Sequence, residues 1–495
     1  MDINSDSIKI LFGLKLRQLR IDKGLTQYDL ADLSGLSVSY INEIEKGKKY
    51  PKTEKIIALA QTMGVSYDAL VSLQLSKRME PIYELLRSNL LKDLPLSMFG
   101  IEPADLLELL SDAPVKLSAF ISTMMEISRH YNLGVEELYF SVLRTYQEIH
   151  ENYFEDIENA AETFLTDVKA KKILDEAFLR THLEQTYGYT IQIFGEQDYP
   201  NLVSLRSVLI PGEKKLLLNR ILTPDQRAFT LGREIGFLRL QIRERPLTSS
   251  WVEVTSFEQV LNNFQASYFA GAILMPKDNV LPLLEQWLTL PTWKEAGQFL
   301  HRMLDELQAT PETLLHRMSN FLPKYFGVDQ LFFLRFEHKP GSQTFNLTKE
   351  MHLARLHNPH GITNEHYCRR WVSLSMLFEL AEIQQANAYK APILRAQISD
   401  YIDSQNAYLV FGFARPLTPI KDLNHSVSLG ILINEVTRAR IRFLADPALI
   451  HRNVNESCER CSAVDCQERQ AEPVLLQRRE RIETIKLTLQ QMGVK

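Results

Sequence analysis

The sequence predicts a multidomain chain, with an all-α N-terminal helix-turn-helix and helical block followed by two α+β domains. Three observations predict it. At 495 residues the chain exceeds what one hydrophobic core supports, and about three domains is the expectation from length. Up to about Glu176, apolar residues recur at the helical period and glycine is nearly absent after Arg78, Gly100 and Gly134 apart. From Leu179 onward several short stretches alternate with a period of two, with turn residues between them.

The first element is organised around TQYDLADLSGLSVSYINEIEKGKK, residues 26–49. Two short amphipathic segments meet at Gly35, as in the tight connection of a helix-turn-helix. Thr26 is placed to cap the first, whose apolar face is Leu30, Ala31 and Leu33. Ser37 caps the second, whose Ile41 and Ile44 point inward. Ser37, Val38, Ser39 and Asn42 are then expected to face outward at the start of a short helix, where a major-groove reader carries its base contacts. An ordinary helical hairpin shares the two segments. The joint register of Gln27, Ala31, Gly35, Ser37 and the paired isoleucines favours DNA binding. Residues 9–72 read as five helices, with Leu11, Leu14, Leu19 and Ile21 opening the core and Ile56, Ile57, Leu59 and Ala60 closing it. Arg17 and Tyr40 are candidate backbone contacts, and Gln27 either bonds a phosphate or braces the reading helix. These residues resemble the Cro/repressor-type (Xre-family) helix-turn-helix, and the match continues through IEKGKKYPKTEKIIALAQTMGVSYDAL.

Composition limits the partners. A net charge of -5 excludes a chain coated in nucleic acid, so DNA contact falls to a local patch. Lys46, Lys48, Lys49, Lys52 and Lys55 supply one beside the reading helix. No apolar run approaches the ~18 residues of a membrane span. The polar start MDINSDSIKI lacks a signal-peptide core. Four cysteines are no disulfide framework in a chain this long, which places the protein in a reducing cytoplasm.

The helical block, 78–176, is broken by Pro81, Pro95, Pro103 and Pro114 and carries no catalytic constellation. Its methionines and aromatics read as core. Since helix-turn-helix modules bind paired half-sites, this block is the candidate spacer and homodimer interface.

The first α+β domain spans 178–320. TIQIFG alternates as a strand, and SVLIPGEKKLLLN reads as a hairpin turning at Pro211-Gly212. Helices follow over Thr223–Arg239 and Phe257–Leu274, the second stopped by Pro276. Two strands and then a TLxxExxxFL helix resemble the metallopeptidase-like domain of the ImmA/IrrE type. A working zincin needs two histidines one turn apart and a glutamate between them. Arg233 and Phe237 hold the histidine positions here and only Glu234 remains; the resemblance puts the third ligand position at Gln265. Arginine stays protonated and phenylalanine has no lone pair, so zinc hydrolysis fails on coordination chemistry. The domain reads as a pseudo-metallopeptidase scaffold, with Glu234 either in an ion pair with Arg233 or a surface carboxylate without a role.

The second α+β domain, 322–495, holds the strand-like stretches DQLFFLRFEH, NAYLVFGFARP and HSVSLGILIN. HYCRRWVSLSMLFELAEIQQ lies between them, a long helix is expected from Asn434, and a charged helix over Pro473–Met492 closes the chain. The mix fits a small-molecule sensor. ESCERCSAVDCQERQAEP carries Cys458, Cys461 and Cys466. C-x-x-C is a recurring half-site for zinc or an iron–sulfur cluster, with Cys368 as the remaining thiol and Asp465 or a histidine as alternatives; redox-active thiols and buried structural cysteines are the competing readings. Nothing in the sequence brings Cys368, ninety residues earlier, to the others. Cys368 with Trp371, and CERCSAVDCQERQAEP, resemble the C-terminal domain of the short-chain fatty acyl transcriptional regulators, which share this domain order. The residues after Cys368 and Cys466 depart from that family's pattern. The resemblance implies a transcriptional regulator with a short-chain acyl-CoA or related effector. Two other readings stay open: a peptidase acting on a repressor, and an antitoxin or phage-type repressor.

Overall fold

In the computed structural model, residues 5–72, 135–170, 173–249, 254, 256–353, 365–404 and 406–492 are described. The chain divides into two compact units, Met1–Val142 with Thr255–Glu258, and Leu143–Val254 with Gln259–Lys495.

The first unit opens with five helices: α1 (Ser5–Asp22), α2 (Gln27–Ser34), α3 (Val38–Glu45), α4 (Thr53–Met63) and α5 (Tyr67–Val71). Phe12, Leu16, Leu30, Ile41, Ile44, Ile56, Leu59 and Met63 form its core. On α1 the buried line runs Phe12, Leu16, Arg20, four residues apart. Ile21 lies one step round from that line and is exposed, as are Leu33 beside Leu30 and Ile57 beside Ile56. Those three therefore leave the expected core, and Phe12 and Leu16 enter it. A Cβ on Gly13 would stand 2.1 Å from the Ile44 carbonyl oxygen, so α1 and α3 cross in contact at this residue. Most of the expected spacer at 78–176 lies outside the described residues; α6 (Val135–Ile149) and α7 (Glu155–Asp167) belong to its described part.

In the second unit, α8 (Glu176–Tyr187) leads into a sheet built from β1 (Thr190–Phe194), β2 (Ser207–Ile210) and β3 (Lys215–Asn219), then α9 (Pro224–Arg239), β4 (Thr248–Ser249) and α10 (Phe257–Leu274). The order is β1-β3-β2-β4, with β1 parallel to β3 and the other pairs antiparallel. Thr223 and Gln226 cap α9 reciprocally and Pro224 takes its first position. Gly232 and Gly236 let α10 lie against α9: a Cβ on Gly236 would meet the Ala266 carbonyl at 2.9 Å.

Helices α11 (Lys277–Leu288), α12 (Trp293–Glu306) and α13 (Pro311–Phe326) follow. Then come β5 (Leu331–His338), β6 (Asn346–His352), α14 (Val372–Gln385), β7 (Ile393–Tyr401), β8 (Ala407–Pro416), β9 (Asn424–Leu432), α15 (Glu435–Arg440), β10 (His451–Val454) and α16 (Val474–Gln491). The six strands lie in the order β10-β7-β8-β9-β5-β6, with only the β10–β7 pair parallel. Alternation along β8 explains the layering: Leu409, Phe411 and Phe413 pack with α11–α13, and Tyr408, Val410 and Ala414 with α14. The three strands expected from sequence are β5, β8 and β9. The long helix expected from Asn434 is six residues only. Backbone at Ile441 turns extended, and Phe443 enters the core 5.0 Å from the Trp287 ring.

Candidate nucleic-acid interface and a closed metal site

The reading helix is set by its caps and its buried face. Thr26 caps α2 with a reciprocal bond to Asp29, and Gly35 ends α2 in the left-handed conformation at φ 67°. The Ser37 hydroxyl accepts from the Tyr40 amide and starts α3. Ile41 and Ile44 are fully buried, which turns Ser37 and Ser39 outward. Asn42 is half-buried. Val38, expected outside, is also half-buried and packs on the core.

Beneath the helix lies a brace that sequence reasoning missed. Glu45, 2% exposed, takes two bonds from Arg20, at 2.7 and 3.0 Å, and one from Gln27 Nε2 at 2.7 Å. Gln27 therefore braces α3 in this structure. The signal was present: Glu45 directly follows buried Ile44, and a carboxylate there needs a cation such as Arg20. Arg17 is half-buried on α1. Lys48, Lys49 and Lys52 are exposed, while Lys46 and Lys55 are half-buried. Lys55 Nζ stands 4.0 Å from the Tyr40 ring centre and Lys49 Nζ 5.9 Å, so two cations flank the aromatic on one side of α3. Lys49 also bonds Glu43 at 2.8 Å, and that bond raises its pKa.

In the domain of the four-stranded sheet, Arg233, Glu234 and Phe237 lie buried on α9. Glu234 does not pair with Arg233 as expected. Its carboxylate binds the Arg245 guanidinium through both oxygens, with Nη1 to Oε1 at 2.7 Å, and accepts the Tyr189 hydroxyl at 2.8 Å. Arg245 also stacks on Phe237, 3.8 Å from the ring centre. A guanidinium thus takes the cationic place beside the glutamate. Arg233 instead bonds Asn263 at 3.2 Å, and burial brings its pKa down only to about 10. Gln265, the expected third position, lies beside the Tyr146 phenol, and Arg233 bonds Asn263, two residues earlier on α10. Burial, then the Glu234 charge, push the Tyr189 phenol above its usual pKa. No sequence signal marks Arg245, which lies past the end of α9.

The cysteines do meet. Cys368, Cys458, Cys461 and Cys466 line one small cavity with Arg369, Arg370 and Arg469. Backbone pairing of Tyr367 with Ser457, and the bond from Cys458 N to the His366 carbonyl at 2.9 Å, bring the two segments together. Burial raises the Cys368 thiol to about 11, so it is protonated in the absence of a metal. Four thiols are a fitting donor set for zinc or a cluster. Among the described residues, however, no three ligating side chains stand close enough to chelate one ion. A cleft of about 320 Å³ opens nearby, lined by Tyr401, Asp403, Asn455, Arg460 and Arg479 among others.

Residues 16–70 match the helix-turn-helix family and residues 188–319 the IrrE N-terminal-like domain. The chain is 26% identical to the propionyl-CoA carboxylase regulator of Cereibacter sphaeroides over 66% of this chain and 68% of that protein. It is 23% identical to the HTH-type transcriptional regulator PrpR of Mycobacterium tuberculosis, over 53% of this chain and 56% of that one. Its first domain is 39% identical to the HTH-type transcriptional regulator y4dJ of Sinorhizobium fredii, over 12% of this chain and 80% of the relative. With its reading helix built, capped and braced, the chain belongs to the helix-turn-helix DNA-binding transcriptional regulators, in the group that carries an IrrE-like domain behind the DNA-binding module.

Proposed function

We propose that the protein is a dimeric, cytoplasmic, sequence-specific regulator whose DNA affinity responds to a short-chain acyl-CoA or related metabolite bound in its C-terminal half. In this reading Ser37, Ser39 and Asn42 meet base edges. Arg17, Tyr40, Lys46, Lys48 and Lys49 meet phosphates, and Val38 and Gln27 hold the helix in place. The observation that carries it is the pairing of a complete reading helix with a metal site closed by Arg245. Arg233 and Phe237 occupy the positions that the zinc-ligand motif gives to histidine and the Arg245 guanidinium pairs with Glu234, which supports a sensing rather than a hydrolytic role for this domain. The relative from Cereibacter sphaeroides, named for propionyl-CoA carboxylase, supports the acyl class.

An effector moves DNA affinity only by its differential affinity for the two arrangements of the reading helices. The test is anisotropy of a duplex selected from a random pool, titrated with full-length protein in the presence and absence of propionyl-CoA, butyryl-CoA and the free acids. One of these is expected to change DNA affinity by about 5- to 150-fold. Identical curves throughout overturn the effector.

A further inference from the structure

A cluster of cations lies where the four-stranded domain adjoins the six-stranded sheet, inside the second unit. Register puts Glu337 of β5, His425 of β9 and Arg415 of β8 in one row across three strands. Arg335, two residues back along β5, projects from the same face. Glu312 of α13 bonds Arg335 at 3.5 Å and also Lys349, and Arg206 approaches from the segment before β2. The charged groups acting on Arg206 and His425 are three arginines and two glutamates. Both glutamates are already engaged: Glu312 by Arg335 and Lys349, Glu337 by Arg335 at 2.8 Å. The Nε atoms of Arg206 and Arg415 and Nδ1 of His425 are buried and, among the described residues, make no hydrogen bond, whereas Arg335 is held by its ion pairs to Glu312 and Glu337. His425 is 2% exposed, and Arg206 and Arg415 are half-buried, so the cluster reaches solvent at their end.

Buried guanidinium charge without a bonded counter-charge is costly, and a convergent set of such donors matches an oxyanion. We propose that Arg206, Arg415 and His425, backed by Arg335, form a binding site for a small oxyanion, the phosphate or carboxylate of a metabolite. The site deepens the effector reading and rests on it for its biological ligand. The donors are neutral His425 and charged arginines, so binding needs no proton transfer. Because Arg206 comes from the four-stranded domain and the rest from the six-stranded sheet and α13, an anion there holds the two domains together.

The experiment is thermal melting of the full chain with pyrophosphate, propionate and propionyl-CoA, for wild type, Arg206→Gln, Arg415→Gln and the charge-retaining Arg415→Lys. Wild type is expected to melt higher with at least one oxyanion. Pyrophosphate marks a phosphate ligand and propionate a carboxylate. Each Gln variant is expected to weaken that ligand roughly tenfold or more, and Arg415→Lys to weaken it less. Without ligand, the Gln variants should melt no lower than wild type, because one like charge is gone; a large drop in both marks a structural role and overturns the site. No oxyanion shift in wild type, or equal shifts in the Gln variants, overturns it as well. Acyl-CoA that changes DNA affinity equally in wild type and variants keeps the effector reading and sinks this site. Oxyanion binding with no acyl-CoA effect on DNA does the reverse.

Discussion

At Gly13 the DNA-binding module tolerates no side chain, because α1 and α3 touch backbone to backbone there. Gly13→Ala is expected to cost roughly 1–3 kcal/mol of module stability through overpacking, and to weaken DNA binding by tilting α3. Melting of the variant with duplex titration checks both. Glu234 and Arg245 form the other residue pair on which a whole reading depends. Arg245→Ala leaves a carboxylate, 2% exposed, beside an aromatic ring without its cation. The loss is expected to be about 3–5 kcal/mol, read by urea unfolding. For the same reason, restoring histidines at Arg233 and Phe237 should not recruit zinc while Arg245 stays. Zinc in that double variant contradicts the closed site.

Elements differed in how far the sequence exposed them. α2 and α3 were readable because capping, glycine and apolar signals all lie within twenty-odd residues. The same holds for α9, with its Thr223-Pro224 start, and for β5, β8 and β9, which are buried on both faces and so read as apolar runs. β6 was not readable: it is an edge strand of largely polar residues, NLTKEMH. α15 was overextended because the helical period continues into residues that leave the helix to fill the core. The surroundings of Glu234 were half legible, since Arg233 and Phe237 show in the sequence but the guanidinium of Arg245 that pairs with Glu234 comes from outside the motif. α7, α10 and α13 are tied by another charge pair that spacing conceals. Arg317, 2% exposed, bonds Glu158 at 2.6 Å, and Tyr268 donates to the same carboxylate at 2.8 Å. Arg317→Ala should cost about 3–5 kcal/mol, whereas Arg317→Met with Glu158→Leu should recover most of it; chemical denaturation of both tells whether pairing or packing dominates.

For the molecule as a whole, the second unit should be acid-labile. Burial, then Lys349, brings His316 down to about 4, and burial, then Arg335 and Arg415, holds His425 well below its usual value. Unfolded histidines titrate near 6.5. As pH falls the unfolded chain takes up these protons first, so stability present above about 6.5 is lost progressively toward about 4. Glu312 adds to the trend: burial alone would raise it, yet Lys349 and Arg335 hold it well below the carboxylate range. Urea melts between about pH 7 and 4 should show this decline, shallower in His316→Phe, whose ring can keep the 4.2 Å stack on Phe333. No helix among the described residues is long and apolar enough to cross a membrane.

One measurement bears on α3 most directly: the full-length protein titrated against its selected duplex and a scrambled one, with Ser39→Ala/Asn42→Ala and Lys48→Ala as variants. The double variant is expected to lose ~1–3 kcal/mol per base contact on the selected duplex only, while Lys48→Ala weakens both duplexes alike and flattens the salt dependence. Unchanged discrimination between the two duplexes in the Ser39/Asn42 variant would contradict α3 as the reading helix.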